Sequence, residues 1–221
     1  MTRPRASVAL AVVLSAVLAH GAIAFDNKPG DFDYYVLVLG WAPSYCRTEG
    51  RLRNDAECDS GTPHAFVLHG LWPQFEKGWP ENCRTGTRTW VPQSVIDNMR
   101  DIMPSKGLVI HEYRTHGTCS GLDPERYFAI SRELYERVAV PERFRAPGAE
   151  TSLSADEIEA AFLGANPWLK PDMISISCRG ANLLDIRVCF GRDLFPRACG
   201  PNEDQKRLCS TSAIQVPPVQ H

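Results

Sequence analysis

The sequence predicts an α+β fold: a central, mostly antiparallel β-sheet flanked by helices and held by four disulfides. Three observations point there. Helical spacing of apolar residues dominates the middle of the chain, period-two alternation dominates its final third, and eight cysteines follow an apolar leader. The chain has 221 residues, 43% apolar and 23% charged, which is ordinary for a soluble globular protein. A chain of about 200 residues buries roughly 70% of its unfolded surface, so the cysteines do not compensate for a small core.

The leader explains them. Arg3 and Arg5 precede an apolar run from Val8 to Leu18, which ends near Ala22, Ile23 and Ala24 with small residues at the A-x-A positions. Residues 1–24 therefore read as a secretory signal peptide, and residues 25–221 as one domain. The apolar run is shorter than the ~20 residues a bilayer requires, and no later segment is long enough to span one. Outside the cytoplasm an even set of eight cysteines is most simply four disulfides. The absence of Asn-x-Ser/Thr, with arginine far commoner than lysine, suits a bacterial periplasmic or secreted protein. A net charge of −2, which becomes more negative once two leader arginines are removed, excludes the global basic field that holds duplex DNA. Any anionic ligand must be met locally.

The elements follow in order. Asp33 to Trp41 is aromatic and β-branched and reads as a buried strand stopped by Pro43. Cys46 to His64 is polar, with Gly50 and Gly61, and reads as a loop. Ala65 to Leu71 is a short apolar strand. Val95, Ile96, Met99 and Ile102 fall at helical spacing within Pro92 to Met103, and Leu108 to Cys119 is a second helical segment. A third begins at Asp123, with Tyr127, Ser131, Leu134, Tyr135 and Val138 on one face. A fourth begins at Ser154, whose capping box is closed by Glu157. Met173 to Cys178 and Leu183 to Phe190 alternate as strands of a half-exposed sheet do. The tail from Ser210, with Pro217 and Pro218, reads as loose.

Two segments concentrate the chemistry. In Phe66-Val67-Leu68-His69-Gly70-Leu71-Trp72-Pro73-Gln74 a hydrophobic strand delivers a histidine beside a tryptophan. In His111-Glu112-Tyr113-Arg114-Thr115-His116-Gly117-Thr118-Cys119, helical spacing of about 100° per residue puts His111, Thr115, Glu112 and His116 at roughly 0°, 40°, 100° and 140°. One face thus carries two imidazoles and a carboxylate. Each feature also has an ordinary structural use: a strand histidine as a core residue, Trp72 as core, and Glu112 with His116 as a surface helix pair. A zinc site fits less well. Its helical signature is H-E-x-x-H, whereas the spacing here is H-E-x-x-x-H, with the imidazoles about 140° apart and no second cluster of ligands. No metal and no cofactor are expected.

These two segments, in this order and separation, resemble the active-site motifs of the ribonuclease T2 family of secreted endoribonucleases. The likeness extends to Phe32-Asp33-Tyr34-Tyr35, to Trp41-Ala42-Pro43-Ser44-Tyr45-Cys46 and to the four-cysteine ending. The resemblance implies an α+β fold and metal-independent cleavage of single-stranded RNA with little base preference, through a 2′,3′-cyclic phosphate. It assigns the general base to His116, the general acid to His69, phosphate holding to His111 and polarisation of the neighbours to Glu112; spacing alone does not choose between the two histidines. Substrate contacts are expected from Trp72, as a base platform, and from Gln74 and Thr115. It further implies the pairs Cys46–Cys58, Cys83–Cys119, Cys178–Cys209 and Cys189–Cys199. RNA is the expected partner, with no DNA, no membrane and a monomeric chain. One departure stands out: the family's second motif usually has a lysine where this chain has Thr115. That substitution keeps open the alternative of a catalytically weakened, secreted binding or signalling protein.

Overall fold

The computed structural model describes residues 27–59, 61–86 and 89–219, and the expected signal peptide lies outside them. Strand β1 (Tyr34–Trp41) forms the centre of a six-stranded sheet. It pairs antiparallel with β2 (Phe66–Gln74) on one side and β5 (Asn182–Gly191) on the other. β4 (Ile174–Arg179) forms an antiparallel pair with β5. Near the chain end β6 (Ile214–Val216) pairs antiparallel with β3 (Thr151–Leu153) and meets β5 in a single parallel bridge at Asn182.

The alternation of β1 divides the molecule into two faces. Tyr35, Leu37, Leu39 and Trp41 point into the main core, against helices α1 (Gln93–Met99), α2 (Lys106–Glu112), α3 (Pro124–Arg137) and α4 (Ala155–Ala165). Tyr34, Val36 and Val38 point the other way, into a small cluster with Cys189, Trp72 and Cys199. Full burial of a leucine or valine stabilises by about 1.5–3 kcal/mol, so the helical face holds most of the folding energy. The thin face is left for other work.

The local starts agree with their sequence signals. Asp123 caps α3 by accepting from the Arg126 amide at 2.7 Å, with Pro124 at the first helical position. Ser154 and Glu157 exchange both bonds of the capping box at the start of α4. The four disulfides are the four pairs implied by the resemblance, each worth about 2–4 kcal/mol through constraint of the unfolded chain.

Three expectations are corrected. Residues 46–59 are a string of short helical turns rather than an open loop, closed by Cys46–Cys58 and by the Tyr45 hydroxyl donating to Asp55. β4 is buried on both sides, not half-exposed. Its Ser175 hydroxyl donates to the Glu203 carbonyl at 2.6 Å, and the Gln205 amide brackets Ile176 with two 2.8 Å bonds. The tail is ordered through Val219, because β6 joins the sheet and the Trp41 indole N–H donates to the Pro217 carbonyl.

β2 is an edge strand, and side chains and backbone of the helical layer cover its outer edge. The Leu68 amide donates to the Ile102 carbonyl at 2.8 Å, the Tyr135 hydroxyl donates to the Phe66 carbonyl, and the Tyr127 hydroxyl both donates to and accepts from the Leu71 backbone. These contacts fix the strand that carries His69 and remove an open edge.

Candidate active site

A bulge in β2 aims the first histidine. Val38 faces Gly70 and Leu39 faces Leu68, so His69 is an extra residue with no partner across the ladder. The register slip lets Leu68 and Leu71, three apart, both reach the core at 0% exposure. His69 is left with its ring 44% exposed, its Nε2 lying 3.4 Å from Glu112 Oε1.

The second irregularity lies across from the first. The helical segment that begins as α2, capped by Ser105, passes through a π-helical turn at Tyr113–Gly117 and closes at Thr118–Ser120. A turn bonded five residues apart brings His111 and His116 closer to one line than the 140° of a regular α-helix. Cys83–Cys119 and the Asn82 amide, which donates to the Thr115 carbonyl at 2.7 Å, hold the turn from outside. Inside, a Cβ at Gly117 would come within 3.1 Å of the Tyr127 ring and closer still to Tyr113, so glycine is required there.

Glu112 joins the two elements. Its carboxylate is 1% exposed, accepts from the Trp72 indole N–H at 2.8 Å through Oε2, and faces His69 through Oε1. It lies directly over Gly70, where a Cβ would stand 2.7 Å from Trp72 Nε1 and closer still to Glu112 Oε2. Trp72 is the hub. Its ring stacks on His116 with centroids 5.0 Å apart, meets the His69 ring edge-on at 5.5 Å, and has the Arg187 guanidinium 5.2 Å from its centroid.

The two imidazoles titrate in opposite directions. Partial desolvation opposes charge on His69, but the hydrogen bond and charge of Glu112, with Asp185 and Glu57, outweigh it and raise its pKa above 6.5. Burial lowers His116, and with the charges of His69 and His111 added it outweighs the opposing pull of Glu112 and Glu81. His116 Nδ1 is buried with no hydrogen-bond partner among the described residues, so no acceptor supports its imidazolium from that side. Burial alone pushes the Glu112 carboxyl up; contacts with His69, His116 and Trp72 reverse that and keep it low, ionised between the rings.

The remaining expected residues are distributed as follows. His111 is exposed in the last turn of α2 and lines a cavity of about 390 Å³ with His69, Tyr45, Asp55, Glu57 and Ser105. Thr115 is partly buried in the π turn. Gln74 departs from expectation: it is 3% exposed, and its side-chain oxygen accepts from Asn202 at 3.1 Å, so its work is structural. Trp72 also differs, since the ring expected to receive a base already bears on His116 and Arg187. The sequence reading missed Asp185 and Arg187, a charged pair two apart in an otherwise apolar strand; that i, i+2 pairing on one strand face was the available signal. Among the described residues no group of three or more His, Cys, Asp or Glu side chains is arranged to hold a metal ion, and no helix is long and apolar enough to cross a membrane.

Comparisons with known proteins place the chain in a family. The sequence model of the Ribonuclease T2 family matches residues 32–199. A ribonuclease of Aeromonas hydrophila is 33% identical over 137 residues, covering 61% of this chain and 60% of that protein. Ribonuclease I of Escherichia coli is 28% identical over 234 aligned positions, 86% of this chain and 87% of its own. Among solved structures, RNase NT in complex with 5′-AMP superposes with a TM-score of 0.62 at 26% identity, over 85% of this chain and 99% of that one. Trichomaglin, an S-like ribonuclease, gives 0.67 at 21% identity, over 86% of this chain, and speaks to the fold alone. With the family model matched across both histidine segments, the bulged strand and the π turn, the chain belongs to the ribonuclease T2 family.

Proposed function

We propose that the protein is an endoribonuclease that cleaves single-stranded RNA by attack of a ribose 2′-hydroxyl on the adjacent phosphorus. The 2′-oxygen forms a bond to phosphorus, the bond to the 5′-oxygen breaks, and the products are a 2′,3′-cyclic phosphate and a new 5′-hydroxyl. One proton leaves the 2′-hydroxyl and one joins the departing 5′-oxygen. Two histidines perform both transfers when one is neutral and the other protonated.

The observation that carries this reading is the opposite shift of the two imidazoles around one buried carboxylate. His116, lowered, is neutral and takes the 2′-hydroxyl proton; His69, raised by Glu112, is protonated and gives its proton to the 5′-oxygen. The reversed roles would draw on a protonation state that these neighbours make rare. His111, at the cavity mouth, supports the phosphate. Trp72 orders these groups, and a base stacking on it shares the ring with His116 and Arg187. The reaction runs without metal, in a monomeric domain spanning residues 25–221, exported by the leader. Low base preference follows if bases are met mainly by stacking.

The purified mature chain, incubated with homopolymer RNA in excess EDTA, is expected to release 2′,3′-cyclic phosphate termini detectable by phosphorus NMR. Loss of cleavage only when EDTA is present would establish a metallohydrolase instead. An inert chain that still binds RNA would favour the binding or signalling role that Thr115 leaves open.

A further inference from the structure

The charge balance around Glu112 is incomplete for the chemistry proposed above. As the 2′-oxygen attacks, negative charge grows on the phosphoryl oxygens, yet His116 is neutral at that moment and Glu112 is itself an anion among the reacting groups. A fixed cation aimed at those oxygens is what a site of this kind needs. Arg114 points into solvent from the π turn. Arg53 and Arg179 line the cavity with His69 and His111 but are both paired with Glu49. Arg187, on the same face of the sheet as Trp72, is the cation that sits against the Trp72 ring.

Arg187 lies on β5, opposite Val38 of β1, which in turn faces Gly70 of β2. The three positions form one row across the sheet beneath the site. Its guanidinium stands 5.2 Å from the centre of the Trp72 ring, the same ring that stacks on His116 and touches His69. The side chain is only 16% exposed, and besides the Trp72 ring it is held by one hydrogen bond, from Nε to Asp185 Oδ1 at 2.9 Å. Asp185 is 4% exposed and is also close enough to raise His69. The two terminal nitrogens of Arg187 have no hydrogen-bond partner among the described residues. A guanidinium serving only to neutralise Asp185 would gain most from a two-pronged contact. This one is anchored at its neck through Nε alone, with the buried Glu203 carboxylate as a second, unbonded anionic neighbour.

We propose that Arg187 is a catalytic residue whose terminal nitrogens hold a non-bridging oxygen of the scissile phosphate, with Asp185 as the positioning residue that fixes its neck. The proposal rests on the nuclease reading and adds to it the cation of the reaction. Ring stacking on Trp72 holds the guanidinium plane, and the bond to Asp185 sets its direction. Four groups then surround the phosphate: His69 and His116 at the moving protons, His111 at the cavity mouth and Arg187 from the sheet.

The experiment compares wild type, Arg187→Met, Arg187→Lys and the double variant Arg187→Met/Asp185→Asn. It reads kcat and KM on homopolymer RNA, inhibition by inorganic phosphate, and melting temperature. Arg187→Met is expected to lose roughly 10²–10³-fold in kcat and to weaken phosphate inhibition about tenfold or more, with a smaller change in KM; Arg187→Lys is expected to recover part of both. The double variant removes the stranded buried carboxylate, so it should regain melting temperature without regaining kcat. Recovery of kcat in the double variant, or phosphate inhibition unchanged in Arg187→Met, would show a purely structural pair and overturn the proposal. Should wild type fail to cleave RNA, the nuclease reading falls. Calorimetric titration of inorganic phosphate into wild type and Arg187→Met still decides this one, with equal affinities overturning it.

Discussion

The bulge in β2 and the π turn after α2 do the same thing in different material. Each inserts one irregularity into a regular element, and each delivers a histidine to the thin face of the sheet. The outcomes differ because the neighbours differ. His69 faces a buried carboxylate directly and is raised; His116 stacks on an indole, carries a buried nitrogen with no partner among the described residues, and is lowered. In the proposed reaction two identical side chains become acid and base through surroundings alone: a direct bond to Glu112 for one, burial for the other.

Removing either histidine breaks the comparison most severely. His69→Ala and His116→Ala should each lower kcat by roughly 10²–10⁴-fold, with RNA affinity nearly intact, measured by steady-state kinetics alongside fluorescence titration. Transfer of a proton belongs to the transition state, so ground-state contacts survive. Near-normal kcat in either variant would rule out paired-histidine catalysis.

Glu112→Gln should narrow the difference while leaving both groups in place, because the carboxylate acts on His69 by hydrogen bond and charge but on His116 by charge alone. Without the anion, the partial desolvation that opposes charge on His69 is no longer outweighed, and the basic limb of the kcat/KM profile, which reports the acid, should move to lower pH. The acidic limb, set by His116, should also move down, because Glu112 was raising it. Gly70→Ala tests the same junction by crowding. Its Cβ would displace Glu112 and Trp72, at about 1–3 kcal/mol of overpacking, so activity should fall together with melting temperature.

Much of this was legible in the sequence. The capping box at Ser154, the two histidine motifs and the run of strands are local patterns, and each formed where it was read. The irregularities are not local in that sense. A π turn has no periodic signature over five residues, yet the five-residue spacing of His111 and His116 fits it, and assuming an α-helix placed them too far apart. The bulge was visible in principle, since Leu68 and Leu71 stand three apart in a strand where core residues should stand two apart. Gln74 was misread because the residue it serves, Asn202, lies 128 positions away. Arg187 escaped notice because its meaning depends on Trp72, two strands across.

The arginine gives a smaller test its direction. Thr115→Lys, in an otherwise native chain, should change kcat by no more than about threefold, because Arg187 already supplies a cation. In an Arg187→Met background the same lysine should restore about tenfold, since charge then reaches an unfilled place. A large gain in the native background would mean that the site lacks a cation.

The smallest effect concerns stability. Burial pushes the Glu57 carboxyl up to about 7, with Asp55 adding and His69 opposing. A carboxyl raised in the folded state binds more protons folded than unfolded between its ordinary value and 7, so stability falls as pH rises across that window. Glu57→Gln should therefore stabilise the fold at pH 8, by about 3 kcal/mol at most, and so raise the melting temperature there, while leaving it unchanged at pH 4. Thermal melts at the two values check the sign.

The most direct test of the central claim is an NMR titration of the His69 and His116 imidazoles in wild type and in Glu112→Gln. His69 should titrate above 6.5 and His116 below it in wild type, with His69 moving down when the carboxylate is removed. If His116 titrates above His69, or if Glu112→Gln leaves His69 where it was, the assignment of acid and base through a shared carboxylate is contradicted.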